Sequence, residues 1–171
     1  MNLEKEILKE HSKTQRDRIV NYVGKDAKRL SELVALFLKG PYRVTQRASW
    51  PLSHIAEFHP ELFASHLTKI INNLKTPGLH PAVKRNTVRL LQFVEIPKRL
   101  EGTVAEVCFS FLHDKKETIA VHVFAMTVLA MIARKQPELK NELKIMIEDQ
   151  LPYAGPAIHS RATKILRELN S

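Results

Sequence analysis

Arginine and lysine at helical spacing are the most suggestive side chains in this sequence. Arg43 and Arg47, then Lys84, Arg85 and Arg89, then Arg161 and Lys164, fall outside the apolar positions of their segments. Cations at such intervals can hold phosphates, and a nearby ring can stack on a base. Trp50, the single tryptophan, stands within one helical turn of Arg47. An exposed Trp there suits a base or the side chain of a protein partner, whereas packing on a neighbouring helix is its purely structural use. The chain has 27 Lys and Arg against 18 Asp and Glu, a net charge of +9. The excess is thin: +3 over residues 1–40, +2 over 41–80, +2 over 81–117, 0 over 118–155 and +2 over 156–171. No long basic run occurs, so the cations mark a nucleic-acid surface only if folding aligns them.

Other chemistry finds less support. There is no G-x-S-x-G, P-loop or G-x-G-x-x-G pattern, and five glycines are too few for a backbone phosphate cradle. Glu148 and Asp149 are adjacent, so on a helix they diverge and make a poor acid–base pair. Eight histidines include no H-E-x-x-H. His54 and His59 are five apart and do not share a helical face. His122 and His159 recur at one repeat position, but helix axes roughly 10 Å apart are too distant for a shared metal. Cys108, between Val107 and Phe109, reads as a small buried hydrophobe, and a lone Cys forms no internal disulfide. The residues imply no enzyme, cofactor or metal site.

The elements that must position these side chains are helices. Val44, Ala48, Leu52, Ile55 and Ala56 share one helical face, as do Val83, Thr87, Leu90, Leu91 and Val94. Val121, Ala125, Val128, Leu129 and Ile132 form a third such face, and Ile158, Ala162, Ile165, Leu166 and Leu169 a fourth. Pro60, Pro97 and Pro137 follow the first three and open second helices, predicted over 62–74, 100–112 and 139–151. Val44, Val83, Val121 and Ile158 repeat at intervals of 39, 38 and 37 residues, and His59-Pro60-Glu61-Leu62 answers Gln136-Pro137-Glu138-Leu139. A two-helix period near 40 residues predicts a helical solenoid. Residues 3–23 read as one long polar helix and 26–39 as its partner, together a cap on the first full repeat. The expected fold is all-α, a right-handed α-α superhelix of about four helix pairs plus a terminal helix. It forms a single solenoid domain over 1–171, with capping helices in 1–40, repeats at 41–79, 80–117 and 118–155, and a capping helix at 156–171.

On these residues the chain resembles the HEAT-repeat family and its armadillo relatives. The best copy runs from Arg47 to Ala56, with Pro51 in mid-helix where it should kink the chain. The Asp and Arg ladder usual between helices of that family is not evident. The resemblance implies that second helices line a concave face. Those helices carry mixed charge: Lys69 and Lys75, then Glu101 and Glu106, then Lys140, Lys144 and Glu148. Mixed charge suits a protein segment, so the expected role is a non-enzymatic scaffold for a protein or peptide partner. The alternative is nucleic acid held on the basic stripe. Some alkylpurine DNA glycosylases look similar, built from HEAT-like repeats with several Trp around a carboxylate. Here Trp50 stands alone, with Gln46 and His54 one turn away and Glu57 the nearest acid. No apolar run approaches the roughly 20 residues of a membrane span, and residues 1–10 lack a secretory apolar core. The expected location is the cytoplasm.

Overall fold

The computed structural model describes residues 1–171. Ten α-helices and two short 3₁₀ turns make an all-α chain without a strand. The helices are α1 Leu3–Lys9, α2 Lys13–Val23, α3 Ala27–Lys39, α4 Tyr42–Phe58, α5 Leu67–Asn73, α6 Pro81–Leu91, α7 Lys98–His113, α8 Ile119–Lys135, α9 Leu139–Gln150 and α10 Pro156–Asn170. They form two compact units, Met1–Ile96 and Pro97–Ser171. The boundary falls within the repeat read at 80–117, between α6 and α7.

In the first unit α4 is the central helix, packed by α1, α2, α3 and α6. Its inward positions Val44, Ala48, Leu52, Ile55 and Ala56 are buried, as their spacing requires. Burial of a Leu or Ile side chain contributes about 1.5–3 kcal/mol, so this face anchors the unit. The helix continues through Pro51, which leaves the Arg47 carbonyl without its usual helical donor. Gly40 closes α3 with its N–H on the Leu36 carbonyl. A methyl group there would lie 2.5 Å from that carbonyl oxygen and 2.8 Å from Val44 Cγ1. The α3–α4 corner therefore fits only a residue without a side chain.

Two sequence expectations fail in this unit. The helix expected over 3–23 is two helices. Glu10 and Ser12 adopt extended backbone, and the Ser12 hydroxyl accepts the Gln15 N–H at 3.1 Å, so α2 gains its own N-cap. Buried Gln15 then donates to the Glu6 carbonyl at 2.6 Å and the Glu6 carboxylate at 2.9 Å, fastening α2 to α1. The second helix expected over 62–74 is a 3₁₀ turn, Pro60–Phe63, followed by the short α5. Fully buried Phe63 holds the turn in place, and the His66 N–H closes on its carbonyl at 2.8 Å.

In the second unit α8 is central, packed by α7, α9 and α10. Val121, Ala125, Met126, Val128, Leu129, Ile132 and Ala133 are all buried, so little of α8 faces water. Thr118 caps its start through the Val121 N–H. Cys108 of α7 is fully buried, and burial pushes its thiol up to about 12, which leaves it inert. Val44, Val83, Val121 and Ile158 are each the third residue of their helix, as the repeat demands.

Candidate interaction surfaces

Several residues read as a basic stripe are tied to the preceding first helix. Arg47, on α4, donates to the Leu8 carbonyl at 3.0 Å and the Ile7 carbonyl at 3.4 Å, closing the end of α1. Asn86, at the same repeat position on α6, donates to the Ser49 hydroxyl of α4 at 2.9 Å. Arg161, again at that position on α10, donates to the Thr127 hydroxyl of α8. Arg89 reaches back from α6 to the Ser53 carbonyl at 3.1 Å and pairs with Glu57 at 2.6 Å, its guanidinium 5.0 Å from the centre of the Phe93 ring. On α8 and α10, Arg134 pairs with Glu168 at 2.6 Å. A ladder of polar contacts, mostly from Arg, thus joins consecutive first helices within each unit, although no such ladder is evident from the sequence. The signal that could have found it is a polar donor three residues after the apolar third position in three of the four first helices, Arg47, Asn86 and Arg161, with Phe124 the exception.

Trp50 lies at the edge of the core and is half-buried. Arg16 of α2 sits 4.9 Å from its ring centre, and the His11 ring is 5.2 Å away. The Trp therefore packs on the capping segment and leaves only part of its surface open. His54 accepts from Arg16 at 3.0 Å through Nε2, because a guanidinium can only donate. Burial, then the charges of Arg89 and Arg16, lower the His54 pKa below its usual value. His11 is lowered by burial and then by Arg47, Arg85 and His80, so these four cationic or ionisable groups share one neighbourhood. Arg43 is exposed, and Lys84 and Arg85 are half-buried. Lys164 is exposed on α10, in the other unit. Glu57, the acid nearest Trp50 in sequence, faces Arg89 and His54 instead.

The second unit contains a feature the sequence reading missed. An open groove of about 960 Å³ runs along α9. Glu138, Asn141, Glu142, Ile145, Met146 and Asp149 recur at three- and four-residue spacing and present one face of this segment to it. Ile119 at the start of α8 and Tyr153 beyond α9 add large exposed apolar side chains to its lining, beside Leu112, Ala154 and Ile158. Ile145 is 60% exposed, Ile119 58% and Tyr153 90%. Gln150 shapes one end by donating to the Leu112 carbonyl at 2.7 Å, and His122 another by donating from Nε2 to the Asp114 carbonyl at 3.0 Å. The charged residues singled out in this helix, Lys140, Lys144 and Glu148, do not line the groove. The available signal was Ile145, an apolar residue between the buried Leu143 and Ile147 but off their face.

No group of three or more His, Cys, Asp or Glu is arranged to hold a metal ion, and no helix is long and apolar enough to cross a membrane. Paired helices with first helices tied through a recurring position define a helical repeat protein. A family profile described as a HEAT repeat domain matches residues 3–169, and the chain belongs to the HEAT repeat family. No curated protein and no solved structure matches the chain.

Proposed function

We propose that this protein is a non-enzymatic repeat scaffold that binds a protein segment in the groove along α9. The observation that carries the reading is the groove itself, open to solvent with three large apolar side chains on its surface. Isolated exposed apolar residues are ordinary, but a contiguous set rimmed by polar groups marks a contact surface. Selection of a displayed peptide library on the full chain tests the reading, with Ile145→Asp as the counter-selection. Sequences that bind the wild type and fail on Ile145→Asp are expected. Enrichment of none that depends on Ile145 sinks the proposal.

A second reading, nucleic-acid binding, has one specific observation in its favour. Burial and then the charges of Arg47, Arg85 and His80 lower the His11 pKa, with exposed Arg43 on the same helix as Arg47. Such a cluster suits phosphate oxygens. Anisotropy of a DNA duplex and a single-stranded RNA at two salt concentrations tests it. Genuine phosphate contacts weaken steeply with salt and with Arg85→Ala. Absence of binding at low salt removes this reading.

A further inference from the structure

Resting on the groove reading above, we infer that the segment bound along α9 is a short amphipathic helix with Lys or Arg flanking its apolar stripe. Charge carries the argument. The side chains lining the groove include Glu117, Glu138, Glu142 and Asp149 against one cation, Lys115, in a chain whose net charge is +9. Glu138, Glu142 and Asp149 have no cation of the chain within ion-pair distance. The pairs Arg134–Glu168 and Lys135–Glu101 of this unit lie elsewhere. These carboxylates sit at i, i+4 and i+11 along the α9 segment, a span of roughly 16 Å at helical rise. Ile145 lies between them, so the surface presents apolar contact flanked by negative charge at both ends.

The partner's backbone follows from what the groove lacks. It is walled by helices and their ends, with no strand edge to pair with an extended segment. A helix docked there satisfies its own N–H and C=O groups internally and so needs no backbone partner from the groove. An apolar stripe of about three turns would cover Ile119, Ile145 and Tyr153 and bring cations to the rim. Net charge favours the opposite preference: a chain at +9 attracts acidic peptides at long range and repels basic ones. Preference for a basic helix at this place therefore reports the local acids.

Three fluorescent helical probes of about 18 residues test the inference on the full chain. They share one Leu stripe and differ only in Lys, Gln or Glu on its flanks. The Lys probe is expected to bind about tenfold more tightly than the Gln probe, with the Glu probe weakest, and the gap should close as salt rises. Glu142→Lys together with Asp149→Lys should reverse the order, and Ile145→Asp should remove the binding of all three. Equal binding of Lys and Gln probes, both abolished by Ile145→Asp, refutes the basic partner and leaves the groove reading standing. Probes indifferent to Ile145→Asp, beside displayed sequences that do depend on it, also refute the inference alone. If the displayed library fails as well, both fall. A homodimer of the chain alone that Ile145→Asp dissociates overturns the inference too, because a second copy then covers the groove.

Discussion

The two units share a plan and differ in what they turn outward. Each is built around a 17-residue central helix, α4 or α8, with an apolar third residue buried at its start. The first unit has 16 Lys and Arg against 9 Asp and Glu, the second 11 against 9. Yet the cation-rich unit directs several of its charges inward. Arg47 closes α1, Arg16 covers Trp50, and Arg89 is held by Ser53 and Glu57. The second unit, nearly neutral, leaves unpaired acids and apolar side chains on α9 open to solvent. Net charge and available charge are thus different quantities. A repeat position that joins neighbouring helices consumes its polar residue, whereas a face with no neighbour keeps its own.

The largest contrast concerns glycine. Gly40→Ala in the first unit should cost about 1–3 kcal/mol, because the new methyl meets the Leu36 carbonyl and the buried Val44. Gly102→Ala in the second unit should instead stabilise by about 0.5–1 kcal/mol. Gly102 lies inside α7 and a methyl there meets nothing within 4 Å. Urea midpoints of the two variants measure both signs, and a neutral Gly40→Ala would mean that the α3–α4 corner can yield around Leu36 and Val44.

Arginine gives the next contrast. Arg89→Ala removes the bond to the Ser53 carbonyl, the pair with Glu57 and the cover over Phe93, and should destabilise by about 1 kcal/mol. Arg43→Ala removes an exposed side chain and should change stability by less than about 0.5 kcal/mol. Equal effects of the two would erase the distinction between committed and available cations. Ile145→Asp belongs with Arg43→Ala in stability, within about 0.5 kcal/mol. It belongs with no other variant in binding, where the loss should be complete. Unfolding midpoint and probe anisotropy on one sample separate those two effects.

Much of this molecule is legible in the sequence because burial dictates spacing. The third-position series Val44, Val83, Val121 and Ile158 locates every first helix, and the repeat follows from it. The break at residues 10–12 was hidden because it depends on Ser12 capping α2, an alternative that the apolar pattern of 3–23 does not register. The short α5 was hidden for a similar reason: Phe63 is as apolar as any helical core residue, but it anchors a 3₁₀ turn. The stripe of Arg43, Arg47, Lys84, Arg85, Arg89, Arg161 and Lys164 was legible as a set of non-core positions. Whether such a position faces water or the next helix depends on the length and tilt of its neighbours. The α9 groove was the least visible, since its only mark on the spacing is a single apolar residue, Ile145, off the buried face of Leu143 and Ile147.

The smallest expected effect tests the contrast through protons. His11, His54 and His66 all lie in the first unit, and burial is the main cause lowering each below 6.5. For His54 the charges of Arg89 and Arg16 add to burial, while Glu57 and Asp17 oppose it more weakly. A lowered pKa means that the unfolded chain takes up the proton first. The stabilisation is therefore complete above 6.5 and is lost as pH falls below it toward the folded value. Glu6 and Asp26, lowered by hydrogen bonds, act in a separate window below their ordinary 4.5 and 3.8. Urea midpoints between about pH 7.5 and about pH 5.5 isolate the histidines. His54→Gln is the informative variant, because a Gln oxygen can accept the Arg16 N–H without titrating. It should flatten the fall in stability over that interval while leaving the value at the upper pH nearly unchanged. An undiminished slope would place the proton uptake elsewhere, and the neutral ring held by Arg16 would not be what makes the first unit sensitive to acid.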